Sequence, residues 1–353
     1  GGDEFIILLH NYRSINELSN IVENIQKRLN NPWVIQKHHI NISSSVGIAF
    51  YPKDGKDHIS LMQHSDIAMY EAKKKGRAQY HFFTEELNTQ VQETIALDKA
   101  MQKALKNNEY RLYYQPKVNC LTGKIIGAEA LIRWVKPSGE VVPPNVFIPL
   151  AEENGFIIDL GMWVLKEALR QQQQWKHEGI DITMSINIAA KQLLQEDFGY
   201  KFNILLQEYK VDPSKLDLEI TEYLFLEQTK SNFNVLDTIR QKGVSISLDD
   251  FGTGYSSLSY LKKFPIDNLK IDKSFVDDYD NEQGAVFLET IVKMGKSLNM
   301  EVIAEGVETQ SQIDYLKQIG CSTYQGYYCS KPLPENDFKR YYQQKSSHPK
   351  ESA

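Results

Sequence analysis

The residues best placed to do chemistry sit at the ends of short apolar runs. Glu129 lies in "IIGAEALIRW", Asn187 in "ITMSINI", Glu219 in "LDLEIT", Asp249 and Asp250 in "VSISLDD", Lys270 and Asp272 in "NLKID", and Glu305 in "EVIAE". Successive side chains on a strand point to opposite faces. In "ITMSINI", Ile182, Met184, Ile186 and Ile188 therefore share one face, while Thr183, Ser185 and Asn187 share the other. The same alternation sets Leu216, Leu218 and Ile220 against Asp217, Glu219 and Thr221, and Val244, Ile246 and Leu248 against Ser245, Ser247 and Asp249. If the apolar face meets covering helices, Glu129, Asn187, Glu219, Asp249 and Lys270 all turn inward, and Glu305 follows the same phase. Carboxylates gathered inside a lumen are costly unless a cation neutralises them. Covered strands have no solvated face, which argues against plain surface charge. Oxygen donors without thiolate or imidazole suit Mg²⁺ or Mn²⁺ and disfavour zinc. Asp249 and Asp250 can serve two ions if the chain turns there, and two ions about 3.5–4 Å apart suit hydrolysis of a phosphate ester.

The elements that must position these groups read as alternating strands and helices from about Tyr110 onward. The strand candidates are "YRLYYQPKV", "KIIGAEALIRWV", "DITMSINIA", "KLDLEIT", "VSISLDD", "DNLKID", "EVIAEG" and "CSTYQG". Helical stretches are expected at 159–177, 200–210, 228–242, 283–298 and 309–319. This predicts an α/β fold, a modified TIM-type (β/α)8 barrel whose site lies at the C-terminal ends of the strands. The connection "NCLTG" is too short for a parallel crossover, so the first strand pair should be antiparallel, turning at Thr122-Gly123.

Residues 1–83 read as a separate, partial α+β unit. "FIILLH" is expected to be a strand, "INELSNIVENIQKRL" a helix, "INISSSVGIAFYP" a strand, "HISLMQHSDIAMYEAKKKGR" a helix and "QYHFF" a closing strand. A helical linker at 84–97, a barrel at 98–340 and a polar tail at 341–353 complete the division.

The chain has 353 residues, with Lys plus Arg 40 against Asp plus Glu 46, giving a net charge of -6. That balance argues against a nucleic-acid duplex as partner or a polybasic membrane anchor. Cys120, Cys321 and Cys329 form no CxxC pair and read as reduced thiols of a cytoplasmic protein. "GTGYSS" lacks the Lys of a P-loop and the third Gly of a dinucleotide fingerprint, so it reads as a strand-to-helix loop.

Seven ordered segments, "EALIRW", "NIAAKQ", "LEITE", "DDFGTGYSSL", "LKIDKSF", "AEGVET" and "QGYYCSKP", together resemble the EAL-domain cyclic di-GMP phosphodiesterases. The resemblance implies hydrolysis of cyclic di-GMP to linear pGpG with two Mg²⁺ or Mn²⁺ ions. Glu129, Asn187, Glu219 and Asp249 would hold the first ion; Asp249, Asp250 and Glu305 would serve the second. It further implies that Lys270 acts on the attacking water, with Glu129 and Glu305 also in the catalytic set. Arg133 would hold a substrate phosphate and Gln115 would contact the nucleotide, while Asp272 and Gln325 line the pocket. Glu222 would tether the 251–258 loop, and Glu308 would lie near the pocket. The remaining options are a silent cyclic di-GMP receptor, or part of a bifunctional cyclase and phosphodiesterase. Dimerisation through the EAL domain is expected from the family.

"GGDEF", "SVGIAFYPKDG" and "SDIAMYEAKKKGRAQYHFF" resemble the second half of a GGDEF diguanylate cyclase domain. Gly1, Gly2, Asp3 and Glu4 keep the motif of its hairpin. The first half of that domain, and a sensor further upstream in a membrane-tethered or soluble parent, are expected to precede it. No cyclase activity is expected from this polypeptide.

Overall fold

A computed structural model of the chain describes residues 3–222, 230–252, 261 and 264–347. The chain divides into two units at Lys99/Ala100.

The first unit contains α1 (Ile15–Leu29), β1 (Trp33–Ile35), β2 (His38–Ile40), β3 (Val46–Ile48), α2 (His58–Lys74) and β4 (Tyr80–Phe82). Ser14 caps α1 by accepting from the Glu17 N–H, and Asp57 caps α2 by accepting from the Ser60 N–H. Such caps satisfy amides that have no partner within the helix. The regular sheet is small: β3 pairs with β4 in parallel, and β1 pairs with β2 as an antiparallel hairpin that the apolar pattern did not reveal. Two expectations are corrected here. "FIILLH" forms no strand; Phe5, Ile6, Ile7 and Leu8 are exposed, and the segment has no strand partner among the described residues. An isolated run of β-prone residues cannot satisfy its own backbone, so apolar content alone does not make it a strand. The strand in "INISSSVGIAFYP" shrinks to three residues.

A helix, α3 (Glu85–Lys106), leads into the second unit. There follow β5 (Tyr110–Asn119), β6 (Ile125–Val135), β7 (Val141–Val142), α4 (Pro144–Asn154), α5 (Ile157–His177), β8 (Thr183–Asn187), α6 (Ala190–Leu193), α7 (Phe198–Tyr209), β9 (Leu216–Thr221), α8 (Lys230–Arg240), β10 (Ser245–Phe251) and β11 (Asn268–Ile271). The chain continues through α9 (Lys273–Asp277), α10 (Glu282–Ser297), β12 (Glu301–Ala304), α11 (Gln310–Ile319), β13 (Thr323–Gln325), β14 (Leu333–Pro334) and α12 (Glu335–Ser347). Strands β5, β6, β8, β9, β10, β11, β12 and β13 close into a barrel. All eight coincide with the strands read from the sequence. Strand β5 is antiparallel to both neighbours, β6 and β13; every other barrel pairing is parallel. The β5–β6 turn contains Gly123 at φ 66, a left-handed conformation that glycine adopts without steric cost.

The alternation reading holds in the packing. Ala128, Ala130, Met184, Ile186, Leu216, Leu218, Ile246, Leu248, Leu269 and Ile271 are buried in one apolar cluster with residues of the surrounding helices. On that side Trp175 of α5 packs against both Tyr114 and Phe338, at ring separations of 4.7 and 4.8 Å. Phe338 belongs to α12, a helix that runs beyond residue 340. No described helix is long and apolar enough to cross a membrane.

Candidate active site

The opposite faces of the same strands carry the polar groups. Registers place Glu129 beside Gln115 and Ser185, Asn187 beside Glu219, and Lys270 beside Ile303. At the centre stands Lys270, 1% exposed. Its Nζ lies 2.5 Å from Glu219 Oε2, 2.7 Å from Glu305 Oε1, 2.9 Å from Asp249 Oδ1 and 3.7 Å from Glu129 Oε2. Burial opposes the charge on this amine. The acids, Glu129 and Glu219 foremost, override burial and hold the ammonium well above its usual range.

An amide ladder fixes Glu129. Asn187 Nδ2 donates to Glu129 Oε1 at 2.6 Å, and Gln325 Nε2 donates to Glu129 Oε2 at 2.5 Å and to Gln115 Oε1 at 3.0 Å. Gln115 Nε2 in turn donates to the Ser330 carbonyl. Six residues distant in sequence, Gln115, Glu129, Asn187, Glu219, Lys270 and Gln325, thus share one centre of hydrogen bonds and ion pairs.

Asp249 and Asp250 occur where the β10–β11 register slips between Leu248 and Phe251. Asp250 has φ 55. A left-handed residue at a bulge breaks the two-residue alternation, and Asp is among the few residues that accept that conformation. As a result Asp249, Asp250 and Glu305 each bring a carboxylate oxygen within 4.8 Å of the others.

The balance of charge is negative. Burial first, and neighbouring acids next, push Glu305 up to about 8 despite Lys270. Burial likewise raises Glu129, Asp249 and Asp250. Only Glu219 among the five goes down, to about 2, because Lys117 and Lys270 outweigh its burial. Four acids held above their ordinary range, all with hard oxygen donors, fit a divalent cation of the Mg²⁺ type better than a soft metal.

The remaining expected residues lie around this centre. Arg133 is partly buried, with its guanidinium 5.7 Å from the Tyr113 ring centroid and Nη1 donating to the Ile132 carbonyl. Glu222 accepts from the Gly252 N–H at 3.0 Å, which ties it to the start of the loop; positions 253–260 of that loop lie outside the described residues. Asp272 caps α9 by accepting from the Ser274 N–H and hydroxyl, so its carboxylate is spent on the helix start. Glu308 pairs with Lys273 at the exposed rim and is not drawn into the centre. In the first unit, Asp3 and Glu4 are exposed on an irregular segment, and Gly1 and Gly2 lie outside the described residues.

The profile of the EAL domain matches residues 98–332. The chain belongs to the EAL-domain family. Residues 1–79 match the profile described as diguanylate cyclase, GGDEF domain. Among curated relatives, the bifunctional diguanylate cyclase/cyclic di-GMP phosphodiesterase MucR of Pseudomonas aeruginosa is 39% identical over 337 residues, covering 95% of this chain and 49% of MucR. Cyclic di-GMP phosphodiesterase PdeR of Escherichia coli is 39% identical over 343 residues, covering 97% of this chain and 52% of PdeR. The chain spans about half the length of these relatives. The solved structure "PaMucR Phosphodiesterase, c-di-GMP complex" superposes with a TM-score of 0.66 at 38% identity, over 69% of this chain and 99% of that one. EAL domains depend on metal, and Asp249, Asp250 and Glu305 form the acidic cluster of this one.

Lys117 escaped the sequence reading, and Asp217, placed on the inward face, was given no role. Lys117 Nζ donates to Glu219 Oε1 at 2.5 Å and to Ser185 Oγ at 2.6 Å, and lies 3.4 Å from Asp217 Oδ2. Asp217 accepts from Ser185 and Ser247 at 2.7 Å each and from Asn268 at 3.1 Å. The available signal was the alternation in "YRLYYQPKV", which puts Lys117 on the same face as Gln115.

Proposed function

We propose that the barrel hydrolyses cyclic di-GMP to linear pGpG with bound Mg²⁺ or Mn²⁺, two ions being expected. One observation carries this reading: a buried ammonium, Lys270, closely held by Glu219, Asp249 and Glu305 with Glu129 nearby, in a mouth that still has acids to spare. Glu129, Asn187, Glu219 and Asp249 would hold one ion, and Asp249, Asp250 and Glu305 the other. When bound, such ions polarise phosphoryl oxygens and make water a better nucleophile.

The chain's own groups do the rest. Lys270, whose ammonium the surrounding acids favour, would donate from Nζ to orient the incoming water and meet negative charge developing on the phosphoryl oxygens. Arg133, stacked on Tyr113 and only partly buried, keeps a planar fork of donors for a phosphate. Asn187 and Gln325 hold Glu129 in one orientation, and Gln115, which accepts from Gln325, borders the nucleotide with it. Glu222 accepts from the Gly252 N–H just after β10 and so fixes the chain there.

Incubating the protein with cyclic di-GMP and Mg²⁺ or Mn²⁺ and separating the products should yield pGpG, and none after chelation. Intact cyclic di-GMP under every metal condition would end this reading and leave a receptor. The first unit is inferred not to make the dinucleotide: Asp3 and Glu4 sit on an exposed segment without a strand partner among the described residues. Conversion of GTP to cyclic di-GMP by this polypeptide would overturn that inference.

A further inference from the structure

The two oxygens of Glu219 are held by different lysines for different ends of the barrel. Lys270 takes Oε2, and the same Nζ also pairs with Asp249 and Glu305 at the mouth. Lys117 takes Oε1 from the closed side. Strand β5 runs antiparallel, so Lys117 lies one inward position deeper than Gln115 and faces Gly127, which has no side chain to block the way. Behind Lys117 stand Ser185 and Asp217. The Asp217 carboxylate is itself fully engaged by Ser185, Ser247 and Asn268. Lys117 is 4% exposed and Glu219 1%. The lysine is therefore a fixed post with its own foundation, and its one contact toward the mouth is Glu219.

We propose that Lys117 is a positioning residue for the metal site. By occupying Glu219 Oε1 from below, it fixes the plane of that carboxylate and leaves Oε2 directed at the mouth, where a divalent cation can use it. This deepens the hydrolase reading and rests on it only for the identity of the substrate. Two effects of removing Lys117 oppose each other. Loss of a nearby positive charge would draw a cation in more strongly. Loss of the hydrogen bond would free Glu219 to rotate and leave a buried oxygen unpartnered. Partners that orient a metal ligand typically alter affinity about 10–100-fold when removed, and the second effect should win.

The test is titration calorimetry of Mn²⁺ alone into the wild type and into Lys117→Met, with thermal melting of both in chelator. We expect Lys117→Met to bind Mn²⁺ about 10–100-fold more weakly. Its kcat should fall at low Mn²⁺ and return as Mn²⁺ is raised, with KM for cyclic di-GMP unchanged. A residue needed only for folding would lower the melting temperature without that recovery. Unchanged or tighter Mn²⁺ binding, or a kcat that excess Mn²⁺ fails to restore, would overturn the proposal. If Lys117→Met does not melt cooperatively, Ser185→Ala decides instead. It removes one support of the Lys117 ammonium without touching Glu219, and at least a few-fold weaker Mn²⁺ binding is expected; unaltered binding overturns the proposal. A wild type that binds Mn²⁺ yet leaves cyclic di-GMP intact would sink the hydrolase reading alone, because calorimetry answers the Lys117 question by itself.

Discussion

Asp249 and Asp250 are neighbours in the chain, yet both present a carboxylate oxygen to the same point near Glu305. A regular strand forbids this, since adjacent side chains face opposite ways. The register slip in β10 and the left-handed backbone of Asp250 make it possible. The acid pair is therefore a property of the backbone as much as of the side chains.

That dependence can be separated by substitution. Asp250→Asn keeps a residue that tolerates φ 55 but removes the charge. It should fold with little change in melting temperature while losing divalent-cation affinity and at least about a hundredfold in kcat, the scale for an electrostatic group at the reacting centre. Asp250→Val adds a β-branched side chain to the same backbone and should cost about 1–2 kcal/mol further in denaturant melts. Equal stability of the two variants would show that the bulge relaxes.

Lys270 is the cation against which Glu219, Asp249 and Glu305 are packed. Lys270→Met leaves these acids without it, and losing one partner of a buried ion pair costs about 3–5 kcal/mol. Two conditions should reduce the loss: Mn²⁺, which replaces the missing charge, and mild acid, which protonates the orphaned carboxyls. Chemical denaturation with and without Mn²⁺, at two pH values, checks both. A deficit indifferent to metal and to pH would assign the lysine a packing role only.

Glu219 gives a pH dependence of definite sign. Its burial favours the neutral acid, but Lys117 and Lys270 hold it at about 2, below the ordinary 4.5. A carboxyl depressed on folding stabilises the protein fully above its unfolded pKa and loses that contribution as pH falls through the folded value. The contribution of the Glu219 ion pairs to the advantage of wild type over Glu219→Gln should shrink as pH falls from 4.5 to about 2, by roughly 3 kcal/mol in all. Unfolding free energies measured across that window decide it, and a difference independent of pH would contradict the ion pairs.

Glu129 and Glu305 both approach Lys270, at 3.7 and 2.7 Å. Glu129→Ala and Glu305→Ala should each abolish hydrolysis, a loss of at least about a thousandfold in kcat. Cyclic di-GMP binding measured in chelator should be affected far less. Turnover retained by either variant would remove that carboxylate from the reacting set.

The barrel was legible because its strands obey a two-residue period with one face against helices. Ile186 and Asn187, or Leu218 and Glu219, declare their faces by type alone. Residues that break the period were harder. The spacing only allowed Asp250 to join Asp249; it is a bulge, which alternation does not encode, that brings them together. Lys117 lay in a recognised strand on the correct face, but a lysine reads equally well as a solvated charge, and only the closure of β5 between β6 and β13 buries it. Helix α4 went unseen because Pro144 and Pro149 mark the segment as irregular, although proline is well suited to a first turn. "FIILLH" failed in the other direction, its apolar content suggesting a strand where no partner strand was available.

The reversed course of β5 has one more consequence. In an ordinary barrel of this type each strand sets out from the closed floor. Here Tyr110, the first residue of β5, pairs with Trp134 near the far end of β6, so the polypeptide arrives at the rim that carries the acids. The doorway of the second unit and its reacting end thus lie on one edge of the cylinder.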